Sequence, residues 1–276
     1  MLELVEAKIL SEQMNATIRG KRITKVTTLT SPHKFTFFHG DPQAYNDLLK
    51  GRKIGDATPN GGQIRLEIED LIFVFGDGVG LRYYEKEMKR PVKHQLLIEF
   101  EDGSAMSSST QMYGFLLCFY ESEFDNPYYF VAKSKPSPLT DRFDKQYFMS
   151  ILSTPGAEKL SAKAVLATEQ RIPGLGNGVL QDILYHAGLH PKRKVKTFSD
   201  EEVDKLYASI KSTLKQMVVQ GGRDTEKDLY GVTGGYITRL SKNTIGKPCP
   251  NCGHVIQKEA YLGGSIYYCD GCQPMV

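Results

Sequence analysis

The chain has 276 residues, of which 40% are hydrophobic and 24% are charged, and its formal net charge is +3. This composition is that of a globular protein with room for two domains, and it excludes a disordered or low-complexity chain. No apolar run is long enough for a transmembrane helix, and the first residues mix acids and bases, which excludes a secretory signal. We therefore expect a cytoplasmic protein that has no membrane partner.

The N-terminal half begins with one helix and continues as strands. Residues 1–15 carry apolar side chains at helical spacing, which predicts an amphipathic opening helix. Short segments rich in Val, Ile, Phe and Leu follow, separated by turns that contain Gly, Asn and Asp, and this pattern predicts an antiparallel sandwich or barrel. These segments are ITKVTTL, GQIRLEIE, LIFVFGD, HQLLIEFEDG and GFLLCFY.

The C-terminal half is predicted to be helical after the proline-containing segment SKPSPL at 134–139, which is typical of a domain linker. Ser199 and Glu202 form the pattern of a capping box at the start of a long amphipathic segment. The predicted fold class is α+β. We expect an N-terminal β-sandwich domain at 1–133, a helical domain with a helix–two-turn–helix element at 134–245, and a zinc finger at 246–276.

Four of the five cysteines lie in the last 28 residues, as two C-x-x-C pairs separated by 16 residues. Such a pair of knuckles can place four thiolates tetrahedrally around one zinc ion. Four protein ligands leave no open coordination position, so the zinc is expected to be structural. The predicted ligands are Cys249, Cys252, Cys269 and Cys272.

A glycine-rich turn, IPGLGNG at 172–178, leads into a predicted helix. Backbone N–H groups at a helix N-terminus bind anions, and glycine lets a phosphate approach closely, so Gly176 and Asn177 are candidate phosphate contacts. A simple turn between two helices is the alternative interpretation. Lys192 and Arg193 supply nearby positive charge, either for DNA or as part of a solvated loop.

The order of these features resembles the formamidopyrimidine-DNA glycosylase and endonuclease VIII family of base-excision repair proteins. The resemblance covers essentially the whole chain, and its most specific part is EQRIPGLGNGVLQDILYHAGLHP at 169–191, followed by the cysteine pairs. It implies a protein, expected to be a monomer, that contains structural zinc and binds double-stranded DNA with a damaged or abasic site. It also implies that Lys163, Asn177 and the amides around Gly176 contact DNA, and that Tyr113 could enter the base stack.

The N-terminus departs from the pattern of this family, which begins Met-Pro-Glu-Leu-Pro-Glu. In the family, the exposed proline amine attacks C1′ of the damaged nucleoside and the following glutamate assists proton transfer. This chain has Leu2 in place of the proline, so we expect the Met1 amine, with Glu3 as its acid/base partner, to give at most slow lyase action at an abasic site. The family's hairpin lysine falls near Gln63, and its zinc-finger arginine falls near Gly264.

Two functions of different classes follow from this resemblance. The first is a DNA glycosylase and abasic-site lyase that acts on oxidised bases or abasic sites by base flipping, which the matching Glu3 and Glu6 favour. The second is a non-catalytic protein that recognises lesions or abasic DNA on the same scaffold, which the missing proline, lysine and arginine favour. Binding of structured RNA through the basic loop is a weaker third alternative.

Overall fold

The computed structural model describes residues 2–275, and within that range it combines helices and strands, which confirms the predicted α+β class. The helices are α1 (Leu4–Thr17), α2 (Tyr45–Leu49), α3 (Pro127–Ser134), α4 (Lys145–Leu152), α5 (Ala162–Ala167), α6 (Asn177–Ala187) and α7 (Asp200–Val219). The strands are β1 (Ile23–Thr28), β2 (Thr36–Phe38), β3 (Ile54–Asn60), β4 (Gln63–Ile68), β5 (Leu71–Tyr84), β6 (Leu96–Phe100), β7 (Ala105–Phe119), β8 (Gln257–Tyr261) and β9 (Gly264–Tyr268).

The chain divides into two compact units. The first unit comprises Met1–Phe130 together with Thr225–Gly234, and the second comprises Val131–Asp224 together with Gly235–Val276. Nothing in the sequence predicts that residues 225–234 belong to the first unit. The predicted boundaries at 133 and 245 stay predictions.

The first unit is built on a seven-stranded sheet in the order β1-β6-β7-β5-β4-β3, with β2 added parallel to β7. The long strands β5 and β7 are antiparallel neighbours whose register shifts between Asp77 and Val79. Asp77 has a φ of 57°, a left-handed conformation that costs free energy in a non-glycine residue. Both residues next to Asp77 are glycines, and the packing at the kink requires this. A Cβ on Gly76 would overlap the Phe115 ring, and a Cβ on Gly78 would overlap the Tyr113 carbonyl oxygen.

The opening helix is confirmed as α1, and its buried residues Ala7, Leu10 and Met14 belong to the same apolar core as side chains of the strands. This core also contains Leu229, which is fully buried although it lies far along the chain from Phe130, where the first segment of the unit ends. Its N–H donates to Gln13 Oε1 at 2.9 Å, and its carbonyl accepts from the Tyr83 N–H at 2.8 Å. The 225–234 segment is therefore anchored to the first unit by an apolar side chain and by backbone hydrogen bonds.

The second unit is mainly helical and ends in the antiparallel hairpin β8–β9. The predicted capping box is confirmed at the start of α7, where Ser199 Oγ accepts from the Glu202 N–H at 3.2 Å and Glu202 Oε2 accepts from the Ser199 N–H at 2.9 Å. Helix α6 begins after Gly176 and ends at Gly188, which has a φ of 70°. Among residues 2–275, no helix has the length and apolar character needed to cross a membrane.

Candidate functional site

The N-terminal residues of the first unit are fixed in the core. Leu2 and Glu3 are buried, and the Leu2 N–H donates to the Asp77 carbonyl oxygen at 2.6 Å. Glu3 is the N-cap of α1 and forms a capping box with Glu6. Both carboxylates therefore have a structural role at the helix N-terminus, where negative charge is favourable. Met1 lies outside the described residues, so its predicted role as nucleophile stays a prediction.

Gln63 occupies the position where the resemblance places a lysine, at the first pair of the β4–β5 ladder opposite Gly76. Its side chain is 3% exposed, and its Nε2 donates to the Tyr128 carbonyl oxygen at 3.3 Å. The Oε1 atom of Gln63 is buried without a hydrogen-bond partner. At this position beside the kink of β5, the chain therefore has a neutral hydrogen-bond acceptor, Gln63 Oε1, where the resemblance implies a lysine cation.

Tyr113 lies on β7 beside the same kink, and its side chain is 47% exposed. Partial burial raises the pKa of its hydroxyl, and the nearby Asp77 carboxylate adds to this effect. The ring is therefore neutral and accessible, which are the properties that stacking against a base requires. Its predicted contact with DNA stays a prediction.

Lys163 and Asn177 meet at the β8–β9 hairpin within the second unit. Lys163 Nζ donates to the Tyr261 carbonyl oxygen at 2.6 Å, and Asn177 Nδ2 donates to the Ser265 carbonyl oxygen at 2.7 Å. Burial lowers the pKa of the Lys163 ammonium. An ammonium group has three donors, so this one contact leaves donors for an anion.

Gly264 lies between these two side chains. A Cβ at this position would lie 3.5 Å from Lys163 Nζ and 3.8 Å from Asn177 Cγ. The position that the resemblance assigns to an arginine is thus next to the predicted phosphate contacts, but it supplies no charge. Sequence reasoning missed Gln181, whose Nε2 donates to the Ser265 carbonyl oxygen at 3.2 Å and whose Oε1 accepts from the Tyr267 N–H at 3.0 Å. The available signal was its place one turn after Asn177 in α6.

The basic pair Lys192 and Arg193 is engaged inside the second unit. Arg193 is 4% exposed, forms an ion pair with Glu202, and donates from Nη2 to the Thr197 carbonyl oxygen at 2.7 Å. Lys192 forms an ion pair with Glu259. These contacts give both cations a structural role, and their predicted contacts with DNA stay predictions.

The four C-terminal cysteines converge so closely that all their sulfur atoms lie within 4.8 Å of one another, and they could hold one metal ion. The Sγ distances are 3.7 Å for Cys249–Cys272, 3.3 Å for Cys252–Cys269 and 3.4 Å for Cys252–Cys272. A tetrahedral ion with metal–sulfur bonds of about 2.3 Å would separate its sulfur ligands by roughly 3.8 Å, which is close to these values. The Tyr185 hydroxyl lies 3.2 Å from Cys249 Sγ, as expected of a residue that supports a ligand.

Comparisons of the sequence with known proteins find a matching domain and full-length relatives. Residues 135–228 match the family model described as the Formamidopyrimidine-DNA glycosylase H2TH domain. The chain is 26% identical to the formamidopyrimidine-DNA glycosylase of Bacillus cereus, with 100% of each chain covered. It is 27% identical to the same-named protein of Wolbachia pipientis, with 99% of this chain and 100% of that protein covered.

Solved structures share the fold along the whole chain. Lactococcus lactis Fpg in complex with DNA that contains an abasic site superposes with a TM-score of 0.82 at 20% identity, covering 99% of this chain and 100% of that chain. MutM (Fpg) of Thermus thermophilus gives a TM-score of 0.80 at 20% identity, covering 98% of each chain. The matched domain, the full-length relatives and the shared fold show that the chain is similar to the formamidopyrimidine-DNA glycosylases along its whole length.

Proposed function

We propose that the protein is a DNA glycosylase of base-excision repair that acts on damaged double-stranded DNA and also cleaves abasic sites. The observation that carries this proposal is the convergence of Lys163 and Asn177 at the cysteine hairpin beside Gly264. A buried cation and an amide at the start of α6 form a site suited to one backbone phosphate. Full-length relatives named formamidopyrimidine-DNA glycosylase support the same function.

The DNA contacts in this proposal are assigned to five of the predicted residues. Phosphate contacts come from Lys163, Asn177 and the backbone at Gly176. Lys192 adds to them through the ammonium donors that its ion pair with Glu259 leaves. Tyr113 enters the stack where the damaged nucleotide leaves it, because an exposed aromatic ring can replace the lost stacking. Arg193 lies beside Lys192, but this proposal assigns it no direct phosphate contact, because its guanidinium is paired with Glu202.

The chemical step in this proposal uses an amine near the N-terminus and Glu3. The Leu2 nitrogen is a peptide nitrogen that donates to Asp77, so its electron pair is not available for attack. The amine role therefore falls to Met1. Its nitrogen bonds to C1′ as the bond from C1′ to the base breaks, and the base leaves with the electron pair of that bond. Glu3 then moves a proton from the attacking nitrogen to O4′ of the sugar, the bond from C1′ to O4′ breaks, and the nitrogen and C1′ form an imine. The imine then permits elimination of the 3′ phosphate.

The cysteine cluster in this proposal binds one zinc ion with a structural role. The four thiolates would hold the ion, which would then stabilise the β8–β9 hairpin that Lys163 and Asn177 contact. No part of the chemical step is assigned to the metal. We also infer a cytoplasmic location, as expected from the sequence, and a monomer, as the family resemblance implies.

The experiment that tests this function measures binding and base release on the same set of DNA duplexes. Matched duplexes would carry an oxidised purine, an oxidised pyrimidine, an abasic-site analogue or no lesion. We expect tighter binding to the damaged duplexes and time-dependent release of one class of oxidised base. Equal affinity for damaged and undamaged DNA would overturn the proposal. Tight damage-specific binding without release or strand cleavage would instead establish the non-catalytic alternative.

A further inference from the structure

A cavity of about 290 Å³ opens on the first unit, next to the kink of β5. Its volume is near the lower end of small-molecule sites, which begin at about 300 Å³. The wall is mostly aromatic and aliphatic, and a few polar side chains share it. The apolar residues are Phe37, Phe115, Leu117, Tyr128 and Tyr129, and the polar ones are Gln63, Asp77 and Asn126.

The aromatic walls of this cavity remain open to solvent. Phe37 on β2 is 56% exposed and Tyr128 on α3 is 45% exposed, although both rings are large and apolar. Phe115 lies edge-on to Tyr128 with ring centroids 5.9 Å apart, and its ring crosses the backbone at Gly76, where only a glycine fits. Exposed aromatic faces around a preformed cavity are typical of a site that binds a flat ring.

The polar groups of the cavity suit a ring that carries hydrogen-bond donors. Gln63 is 97% buried in this wall, and its Oε1 has no hydrogen-bond partner among the described residues. A buried acceptor without a partner costs free energy, which a donor from a ligand would recover. The Tyr128 hydroxyl donates to Asp77 Oδ1 at 3.2 Å, so the tyrosine ring and the carboxyl group hold each other in place.

We propose that this cavity binds a single purine base through stacking on Phe37 and Tyr128 and through an amino or N–H donor to Gln63 Oε1. The base can be free or can belong to a nucleotide extruded from DNA. In the second case the inference rests on the proposed function. Adenine-like rings with an exocyclic amino group fit this chemistry, and purine rings that carry neither an amino group nor a ring N–H lack the matching donor.

The test uses two fluorescent probes with the full-length protein. The first probe is the free riboside of 2-aminopurine, and the second is a duplex with one bulged 2-aminopurine. Binding should quench the fluorescence through stacking on the aromatic walls. Adenosine should compete with the riboside, and purine riboside without an amino group should compete about tenfold less well, the effect of one hydrogen bond.

Three variants identify the site. Phe37→Ala should weaken binding about tenfold, which is the size of one base–aromatic stacking contact. Gln63→Leu should weaken binding by a similar factor and remove the preference for an amino group. Phe35→Ala is the matched control, because Phe35 is 46% exposed on the same segment but does not line the cavity. Thermal melts would verify that the buried Gln63→Leu variant is folded, and Phe37→Ala tests the site independently.

The outcomes separate this inference from the proposed function. Quenching of either probe that depends on Phe37 and Gln63 supports the site, and the probe that responds identifies the source of the base. Failure of both probes in a protein that still binds abasic duplex overturns the site and leaves the proposed function intact. Riboside binding without any DNA binding supports the site and overturns the proposed function. Quenching that is equal in all three variants places the purine elsewhere and overturns the site.

Discussion

The Leu2 N–H donates to the Asp77 carbonyl oxygen at 2.6 Å, which ties the start of α1 to the kink of β5. In the related family, the nitrogen of the second residue is the proline amine that attacks the sugar. Here the same position holds a peptide nitrogen that is engaged in a hydrogen bond, and the Leu2 side chain is buried in the core. Any amine that performs the reaction must therefore be a different group, and this makes the N-terminus the central question of mechanism.

Leu229 should be a major anchor of the first unit. We expect Leu229→Ala to lower the free energy of unfolding by roughly 2–5 kcal/mol, because a fully buried leucine would be replaced by a cavity. Val232→Ala in the same segment is the control, since Val232 is 61% exposed. Urea titration of both variants measures the difference. Equal stabilities would mean that the 225–234 segment is not anchored by Leu229.

Lys163 should contribute one phosphate contact. We expect Lys163→Met to weaken DNA binding and to lower the slope of log affinity against log salt by about 1, because one cation no longer displaces counterions. Lys215→Met changes the net charge equally at an exposed position of α7 and is the control. Fluorescence anisotropy over a salt series measures both slopes. A Lys163→Met slope that equals the wild-type slope would contradict the assignment.

The Arg193–Glu202 ion pair should make stability depend on pH. Hydrogen bonding from Arg193 lowers the pKa of the Glu202 carboxyl group. The contribution of the ion pair to stability is therefore fully present above the pKa that Glu202 has in the unfolded chain, which is about 4.3. This contribution is lost as the pH falls through the lower pKa that Glu202 has in the folded protein. We expect Glu202→Gln to cost roughly 1–3 kcal/mol at pH 7, because it leaves the buried Arg193 guanidinium without its charged partner.

Melting temperatures between pH 7 and pH 2 would test this dependence. The difference in melting temperature between wild type and Glu202→Gln should be largest at neutral pH and should disappear under acid conditions. Glu201→Gln serves as the control, because the Glu201 side chain is 76% exposed and pairs with Lys205 on the surface. A gap that is constant across this pH range would contradict the role of the ion pair.

Metal removal should unfold the hairpin that Lys163 and Asn177 contact. We expect one zinc ion per chain, and loss of the β8–β9 hairpin when a chelator removes it, because metal binding supplies the folding free energy of so short a segment. Cys252→Ser should lose the metal, whereas Cys118→Ser should retain it because Cys118 lies in the apolar core of the first unit. Elemental analysis and limited proteolysis measure these outcomes. Full zinc content in Cys252→Ser would contradict the predicted ligand set.

Local sequence signals predicted the elements that local chemistry determines. The Ser199–Glu202 pair marks the start of α7, and the two C-x-x-C pairs converge as their spacing requires. Helix α4 begins at Lys145, where the Asp144 side chain caps it by accepting from the Tyr147 N–H at 2.7 Å. Strand β3 and the first half of β7 were not predicted, since they contain Gly, Pro or several Ser residues and gain stability from neighbouring strands. Strand β2 was not predicted because it has only 3 residues, which pair with β7.

Features that depend on distant residues could not be predicted in this way. Nothing in the sequence around Leu229 indicates that it enters a core formed by the first half of the chain, because this contact spans more than 200 residues from Gln13. The engagement of Arg193 by Glu202 is likewise invisible in a basic run that is typical of a solvated loop. The left-handed conformation of Asp77 had one available signal, the flanking Gly76 and Gly78 in an apolar strand.

The most direct test of the account is borohydride trapping on a labelled duplex that contains an abasic site. The wild-type protein should form a covalent adduct, and selective acetylation of the N-terminal amine should abolish it. Glu3→Gln should slow trapping by about 100-fold or more, the range for loss of a general acid/base, while Glu12→Gln on the exposed side of α1 should not. Absence of both adduct and strand cleavage from protein that binds the abasic duplex tightly would contradict a Schiff-base enzyme.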